Sequence, residues 1–296
     1  MHRTQTITDS LAQRIKLKLK DYYILVKFRL SFIVVFSAGV GYLFAGGEMS
    51  GFSMFLIAGF LITAASNTLN QIIEQDTDKL MVRTADRPLA AKRMTNTEAI
   101  ISAGVMATAG IALMWYFFNP MAALLGALSL LSYAFIYTPV KRISPISVFI
   151  GAFPGAIPPV IGCAAATGTI TTEALVLFAI QFFWQFPHFW SIAWVAYDDY
   201  ANAGFYLLPS SSGRTKASAF HIVTYTVLLL PVSMLPFMLN MTGNVSAMIV
   251  LLTGLFFLYQ AAILYRTSET KHARALMFGS FLYLPVVLIA LLMDKI

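Results

Sequence analysis

The sequence predicts an all-α membrane protein of nine transmembrane helices around a central cavity that opens to the cytoplasmic face. Three observations carry this expectation. The 296 residues are 58% hydrophobic and only 11% charged, against roughly 25% charged in a soluble globular domain. Nine apolar stretches, each near the ~20 residues that cross a hydrocarbon core, follow one another with short polar breaks. The basic residues fall almost entirely in alternate breaks.

Residues 1–23 read as a basic amphipathic segment, of which the part from Leu11 to Tyr23 suits a membrane surface. Asp9 and Asp21 argue against a transit peptide, and the first apolar run has the length of a span rather than of a cleavable signal. Residues 24–296 form one domain, its spans centred on 24–45, 52–73, 98–117, 121–138, 146–166, 174–197, 219–239, 245–265 and 275–293. The breaks at 46–50, 119–120, 167–172 and 240–244 are minimal turns. The breaks after the second and sixth spans are longer and hold Glu74, Asp76, Asp78, Asp86, Asp198 and Asp199.

Charge then sets the orientation. Seven basic residues, from Arg3 to Arg29, precede or open the first span. Lys79, Arg83, Arg87, Lys92 and Arg93 follow the second, Lys141 and Arg142 the fourth, Arg214 and Lys216 the sixth, and Arg266, Lys271 and Arg274 the eighth. Thus 19 of the 20 basic residues share one side and only Lys295 lies on the other. The positive-inside rule places the N-terminus in the cytoplasm and the C-terminus outside, as expected for a bacterial inner (plasma) membrane. The net charge of +7 is thereby explained as an orientation signal, and no nucleic-acid partner is expected. A single cysteine, Cys163, excludes an intrachain disulfide.

The chemistry concentrates on the cytoplasmic side. Asn70, Glu74 and Asp78 recur at i, i+4, i+8, so a helix continuing from the second span aligns their oxygens on one face. Magnesium takes hard oxygen ligands, commonly one or two carboxylates together with substrate phosphates. Arg83 and Arg87 follow at a spacing suited to a phosphate. In the sixth span Gln181, Gln185, His188 and Ser191 form a polar stripe, with Asp199 three turns beyond His188. Trp184, Trp190 and Trp194 either line a cavity there or pack between helices. Lys141 and Arg142, and further along Arg214 and Lys216, add cations that serve a diphosphate or orientation alone. The Gly- and Pro-rich run 151–162 predicts a broken or strongly bent fifth helix that makes room for a bulky ligand, with close helix packing as the competing account.

These residues resemble the UbiA superfamily of intramembrane prenyltransferases, most closely its protohaem IX farnesyltransferase (haem O synthase) branch. The superfamily pattern Asn-x-x-x-Asp-x-x-x-Asp appears as Asn70, Glu74 and Asp78, with the Glu of that branch in the middle. The Met81-x-Arg83-Thr84-x-x-Arg87-Pro88 run, the Tyr137-Thr138-Pro139-x-Lys141-Arg142 loop, Phe186-Pro187-His188-Phe189-Trp190 and Asp199-Tyr200-x-x-Ala203-Gly204 are similar to it as well. The resemblance implies a Mg2+-dependent transfer from farnesyl diphosphate to haem B in the lipid bilayer, with haem A synthase or a terminal oxidase as assembly partners. It implies Asn70, Glu74, Asp78 and Asp199 as metal ligands and Asp198 beside them; Arg83, Arg87, Lys141, Arg142, Arg214 and Lys216 for diphosphate; and His188, Gln185, Trp184 and Trp190 for haem. Many relatives carry a second Asp-x-x-x-Asp where this chain has adjacent Asp198 and Asp199, so which of the two approaches the metal stays open. Ser147 stands where many relatives have a polar amide.

Other readings are a quinone- or chlorophyll-type prenyltransferase of the same superfamily and a non-enzymatic haem carrier or transporter. A transporter needs ionisable groups spread along a crossing pathway, whereas here they collect on one face. The Asp-Gly-x-x-Ala-Arg signature of membrane phosphatidyltransferases is absent.

Overall fold

A computed structural model describes residues 11–210 and 212–296. Arg3, Asp9 and the rest of the first ten positions of the expected basic segment lie outside the described residues. Among the described residues, eight helical stretches are long and apolar enough to cross a membrane. The pair α1 (Leu11–Leu25) and α2 (Phe28–Phe44), bent by 49° at their junction, brings the number to nine if the two together make one broken span.

The bend has a local cause. Lys27 sits in the left-handed region (φ 46°, ψ 56°), where an L-residue with a side chain is strained. Gln71 holds the strained turn by donating from Nε2 to the carbonyls of Ile24 (3.0 Å) and Leu25 (2.7 Å), acceptors that the end of α1 leaves without helical partners. Tyr22 and Lys18 bond the Glu98 carboxylate, and Arg93 bonds Asp21, so α1 is tied to the following elements on its polar side.

Next, α3 (Met49–Asp78) runs for 30 residues, five beyond the predicted end of the second span. The hydropathy falls at 74–78, but Asn70, Glu74 and Asp78 point into the bundle and are buried, so the helix continues inside protein rather than in lipid. α4 (Asn96–Phe117) starts at Thr95, whose side chain accepts from Glu98 N; α5 (Pro120–Leu131) starts at Asn119, which accepts from Ala122 N and is followed by proline at the first helical position. A wide π turn, Ser132–Tyr137, joins α5 to the short α6 (Thr138–Val140), and the three form one span. Then come α7 (Ser147–Thr167), α8 (Thr172–Val195), the short α9 (Tyr197–Asn202), α10 (Lys216–Ser233) with α11 (Leu235–Met238), α12 (Asn244–Thr267) and α13 (Thr270–Met293).

The fifth span, α7, corrects the expected break. It is a continuous helix despite Pro154, Pro158 and Pro159. Two of the three carbonyls freed by the missing N–H groups find side-chain donors: Pro154 O accepts from Ser129 Oγ (3.3 Å) and Gly155 O from Gln181 Nε2 (2.7 Å). Its glycines serve close packing. A Cβ on Gly162 would stand 2.0 Å from Ala38 O, and one on Gly41 2.3 Å from Pro159 O, so α2 and α7 touch backbone to backbone.

Candidate active site

Helix α3 supplies three oxygen donors, and three other segments bring one cation to each. Asn70, Glu74 and Asp78, on successive turns of α3, are each at most 2% exposed. Lys27, from the strained α1–α2 junction, donates from Nζ to Asn70 Oδ1 at 2.7 Å. Lys141, just past α6, forms an ion pair with Glu74. Arg87 Nη1 reaches both carboxylate oxygens of Asp78 at 2.8 Å. The aligned face read from the sequence is thus a row in which each oxygen donor meets its own cation.

The loop from 79 to 95 is folded back to make this possible. Thr84 Oγ1 donates to Asp78 O (2.9 Å), and a turn from Thr84 O to Arg87 N brings the guanidinium over the end of α3. The π turn does the same for Lys141: Thr138 Oγ1 donates to Tyr133 O (2.8 Å) and accepts from Asn70 Nδ2 (3.1 Å). π turns of this kind recur at functional sites because they re-aim a helix by one residue. Arg142 donates to Ile73 O (2.7 Å) and so pins the same loop to α3, with its own side chain facing that backbone. Burial holds the Lys141 ammonium below the ordinary lysine range, and nearby Arg87 adds to the effect; Glu74 opposes it. Its Nζ also lies 5.0 Å over the Phe205 ring and 5.8 Å over Tyr137.

The two aspartates that the sequence left undecided are separated by the structure. Asp199 accepts from the backbone N–H of Val82 (2.7 Å) and Arg83 (3.4 Å), bracing the loop that carries Arg83 and Arg87. Asp198 is exposed and pairs with Arg214 at 3.1 Å; Arg214 also donates to Trp194 O. Arg83 lies 5.5 Å over the Tyr200 ring and donates to its hydroxyl. Lys216 is exposed at the start of α10.

Beside the pairs lies an apolar cavity of about 250 Å3, running between α2, α3, α5, α7, α8 and α13. Tyr133, Tyr137 and Asn67 bound it toward the polar row, and Phe55, Met114, Leu130 and Ile161 lie deeper. Gln181, Gln185 and His188 of the polar stripe face it from α8, and Trp184 lines it beside them. Gln185 donates to Ala152 O (3.0 Å) and fits only because residue 155 is glycine. Trp190 is not brought in: it packs on Tyr225 and Phe186 against α10. Trp194 is wholly buried in the core.

No group of three or more His, Cys, Asp and Glu side chains converges as a metal cluster among the described residues. Two carboxylates and one amide oxygen remain, a set that suits magnesium sharing its shell with phosphate better than a closed protein cage. Glu74 Oε1 is buried against the Lys141 ammonium, a cation that a phosphate oxygen would draw away. Ser147 Oγ is buried without a partner among the described residues. Lys27 is the residue that sequence reasoning missed, having counted it only as an orientation charge; nothing local in the sequence marks the turn that aims it.

The sequence pattern of the UbiA prenyltransferase family matches residues 34–284. The chain belongs to the UbiA prenyltransferase family. This UbiA-family enzyme is 50% identical over 278 residues to the protoheme IX farnesyltransferase of Cytophaga hutchinsonii, covering 93% of this chain and 97% of that one. It is 42% identical over 285 residues to the protein of the same name from Flavobacterium johnsoniae, covering 93% and 94%. Its fold matches digeranylgeranylglyceryl phosphate synthase with a TM-score of 0.77 at 19% identity, covering 94% of this chain and 98% of the other. A UbiA homologue from Archaeoglobus fulgidus bound to GPP and Mg2+ matches with a TM-score of 0.65 at 13% identity, covering 92% and 99%.

Proposed function

We propose that the chain transfers the farnesyl group of farnesyl diphosphate to a vinyl group of haem B, taking up one water and giving haem O and diphosphate. The observation that carries this reading is the row of three oxygen donors, each matched to a cation, at the edge of an apolar cavity. The name shared by the relatives at 50% and 42% identity supports the choice of substrates.

In this reading Asn70, Glu74 and Asp78 would hold magnesium, which supplies charge neutralisation on the departing diphosphate. Lys27, Arg87 and Lys141 exchange their partners on α3 for phosphate oxygens, and because they are largely shielded from water each contact counts for more than at a surface. Arg83 joins them from the loop that Asp199 braces. Asp199 therefore acts through the position of that loop, and Asp198, Arg142, Arg214 and Lys216 support the surroundings rather than touch the reacting groups. The apolar wall takes the prenyl chain and shields the allylic cation from bulk water until the vinyl carbon attacks; a single admitted water then completes the hydroxyethylfarnesyl group. Trp184, Gln185 and His188 form the haem side.

The row of pairs lies on the basic face, which we assign to the cytoplasmic side of a bacterial inner membrane. The bilayer delivers both substrates, and haem A synthase or a terminal oxidase takes the product. Purified protein given magnesium, haem B and farnesyl diphosphate should release diphosphate and form a farnesylated, hydrated haem by mass spectrometry. Neither product appearing would overturn the assignment.

A further inference from the structure

The cavity beside the polar row has a waist and a floor, and both are built from side chains outside that row. Asn70, Ile62 and Phe55 follow one another down α3. At 1.5 Å per residue, Ile62 stands about 12 Å and Phe55 about 22 Å along the helix axis from Asn70. Both line the cavity. The ring of Phe55 is wholly buried and backed by two others: Tyr42 stacks on it at 4.9 Å and 16°, and Phe118 meets its edge at 5.6 Å. Tyr42 is fixed in turn by donating from its hydroxyl to Glu48 O (3.0 Å). A ring locked in such a cluster has no room to swing aside, so the cavity stops at Phe55. Met114 of α4, also wholly buried, lines the cavity within the same packed cluster.

Two glycines set the waist. Ile62 packs against Gly110 of α4 and Gly126 of α5 so closely that a Cβ at Gly110 would stand 2.8 Å from its Cγ1, and one at Gly126 2.9 Å from its Cδ1. The lack of those two methyl groups lets Ile62 draw back from the cavity. At Gly110 the added carbon also meets backbone, Ala58 O and Ile62 N at 3.0 Å; at Gly126 the only other atom within reach, at 4.0 Å, belongs to Ile62 again. An alanine at 126 therefore presses on the Ile62 side chain alone. With α4 close on its other side, that side chain gives way toward the cavity it lines.

The prenyl chain of the donor is a string of five-carbon units, each adding four carbons to its length, roughly the 5.4 Å of one helical turn. A wall that stands one turn nearer or farther thus separates donors that differ by one unit. We propose that Ile62, seated against Gly110 and Gly126, and Phe55, locked by Tyr42 and Phe118, set the length of prenyl chain that the site accepts. This rests on the farnesyl-transfer reading above and names the residues that fit the site to a fifteen-carbon donor. A chain one unit longer meets packed rings, and a chain one unit shorter leaves apolar wall uncovered.

The test is kcat/KM of the full-length protein in detergent with geranyl, farnesyl and geranylgeranyl diphosphate, each with haem B and magnesium, the products identified by mass spectrometry. Wild type is expected to prefer the farnesyl donor. Gly126→Ala should lower the farnesyl-to-geranyl ratio about tenfold or more, the scale on which an apolar pocket discriminates by size; alanine also favours the helix there, so the fold should hold. Adding Ile62→Ala to Gly126→Ala should bring that ratio back toward wild type, because the pressed side chain is gone. Phe55→Leu and Met114→Ala, which deepen the floor, should raise the geranylgeranyl-to-farnesyl ratio about tenfold or more. If wild type farnesylates haem and Gly126→Ala keeps its donor ratios, the waist is wrong and the activity stands. Unchanged ratios in folded Phe55→Leu and Met114→Ala would do the same to the floor. Equal turnover of all three donors by wild type would overturn the whole proposal, and turnover of none would overturn the transfer reading with it.

Discussion

Lys27 and Asn70, 43 positions apart, meet at 2.7 Å, Nζ to Oδ1, where a left-handed turn at Lys27 joins α1 to α2. The strain at that turn is offset by the two carbonyl bonds from Gln71 one residue further along α3. Lys27→Met should therefore leave the helices in place and lower kcat/KM for farnesyl diphosphate by about 10- to 100-fold, the range expected for one hydrogen bond to a charged group. Steady-state kinetics at fixed haem would check it, and a change below twofold would remove Lys27 from the donor site.

Arg87 and Asp78 form the most enclosed bidentate pair, with Asp78 1% exposed. Removing only the cation strands a buried carboxylate, so Arg87→Ala should cost about 3–5 kcal/mol of stability. Pairing it with Asp78→Asn should recover most of the stability and none of the activity. Thermal unfolding in detergent alongside turnover separates the two effects.

Lys141 must be charged to hold a phosphate, and its burial favours the neutral form. Activity should accordingly fall as pH rises through a value lower than that of a free lysine. Lys141→Arg, whose guanidinium stays protonated, should carry the alkaline limb of the kcat/KM profile to higher pH. Coinciding alkaline limbs in the two proteins would show that Lys141 does not set this dependence.

Asp199 and Asp198 are neighbours with opposite surroundings. Asp199→Ala frees the Val82 and Arg83 amides and should raise KM for farnesyl diphosphate at least tenfold through the loosened loop. Asp198→Ala, which breaks only an exposed pair with Arg214, should change it less than twofold. Equal effects in a side-by-side assay would contradict the division of roles.

Gly162 meets the backbone of α2 so closely that Gly162→Ala forces α2 and α7 apart. The expected cost is about 1–3 kcal/mol or more, since overpacking against a carbonyl cannot be relieved by a rotamer change. Gly104→Ala is the control: a Cβ there meets nothing within 4 Å, and helix propensity favours alanine by about 1 kcal/mol. Unfolding midpoints of the two variants should move in opposite directions.

Much of the site was legible from local pattern. The i, i+4, i+8 spacing of Asn70, Glu74 and Asp78 and the stripe through Gln185 and His188 follow from 3.6 residues per turn, and both stripes face inward. Trp190 lies two positions from His188 and so on a different side of α8, where Tyr225 of α10 receives it. The run 151–162 was read as a break because proline removes helical hydrogen bonds; Ser129 and Gln181 supply replacements, and no local pattern announces donors from other helices.

By itself the sequence determined the all-helical membrane architecture and the aligned donor face, since each depends only on hydropathy and helical period over short windows. The tertiary structure alone decided which cation meets which oxygen, that Asp199 holds a loop backbone, and that His188 meets Ser280 of α13. Apart from Arg87 and Asp78, nine positions apart, these depend on contacts between residues about 40 to 120 positions apart, fixed by helix packing and by one strained turn at Lys27. Periodicity aims a side chain at the interior; only packing says what it finds there.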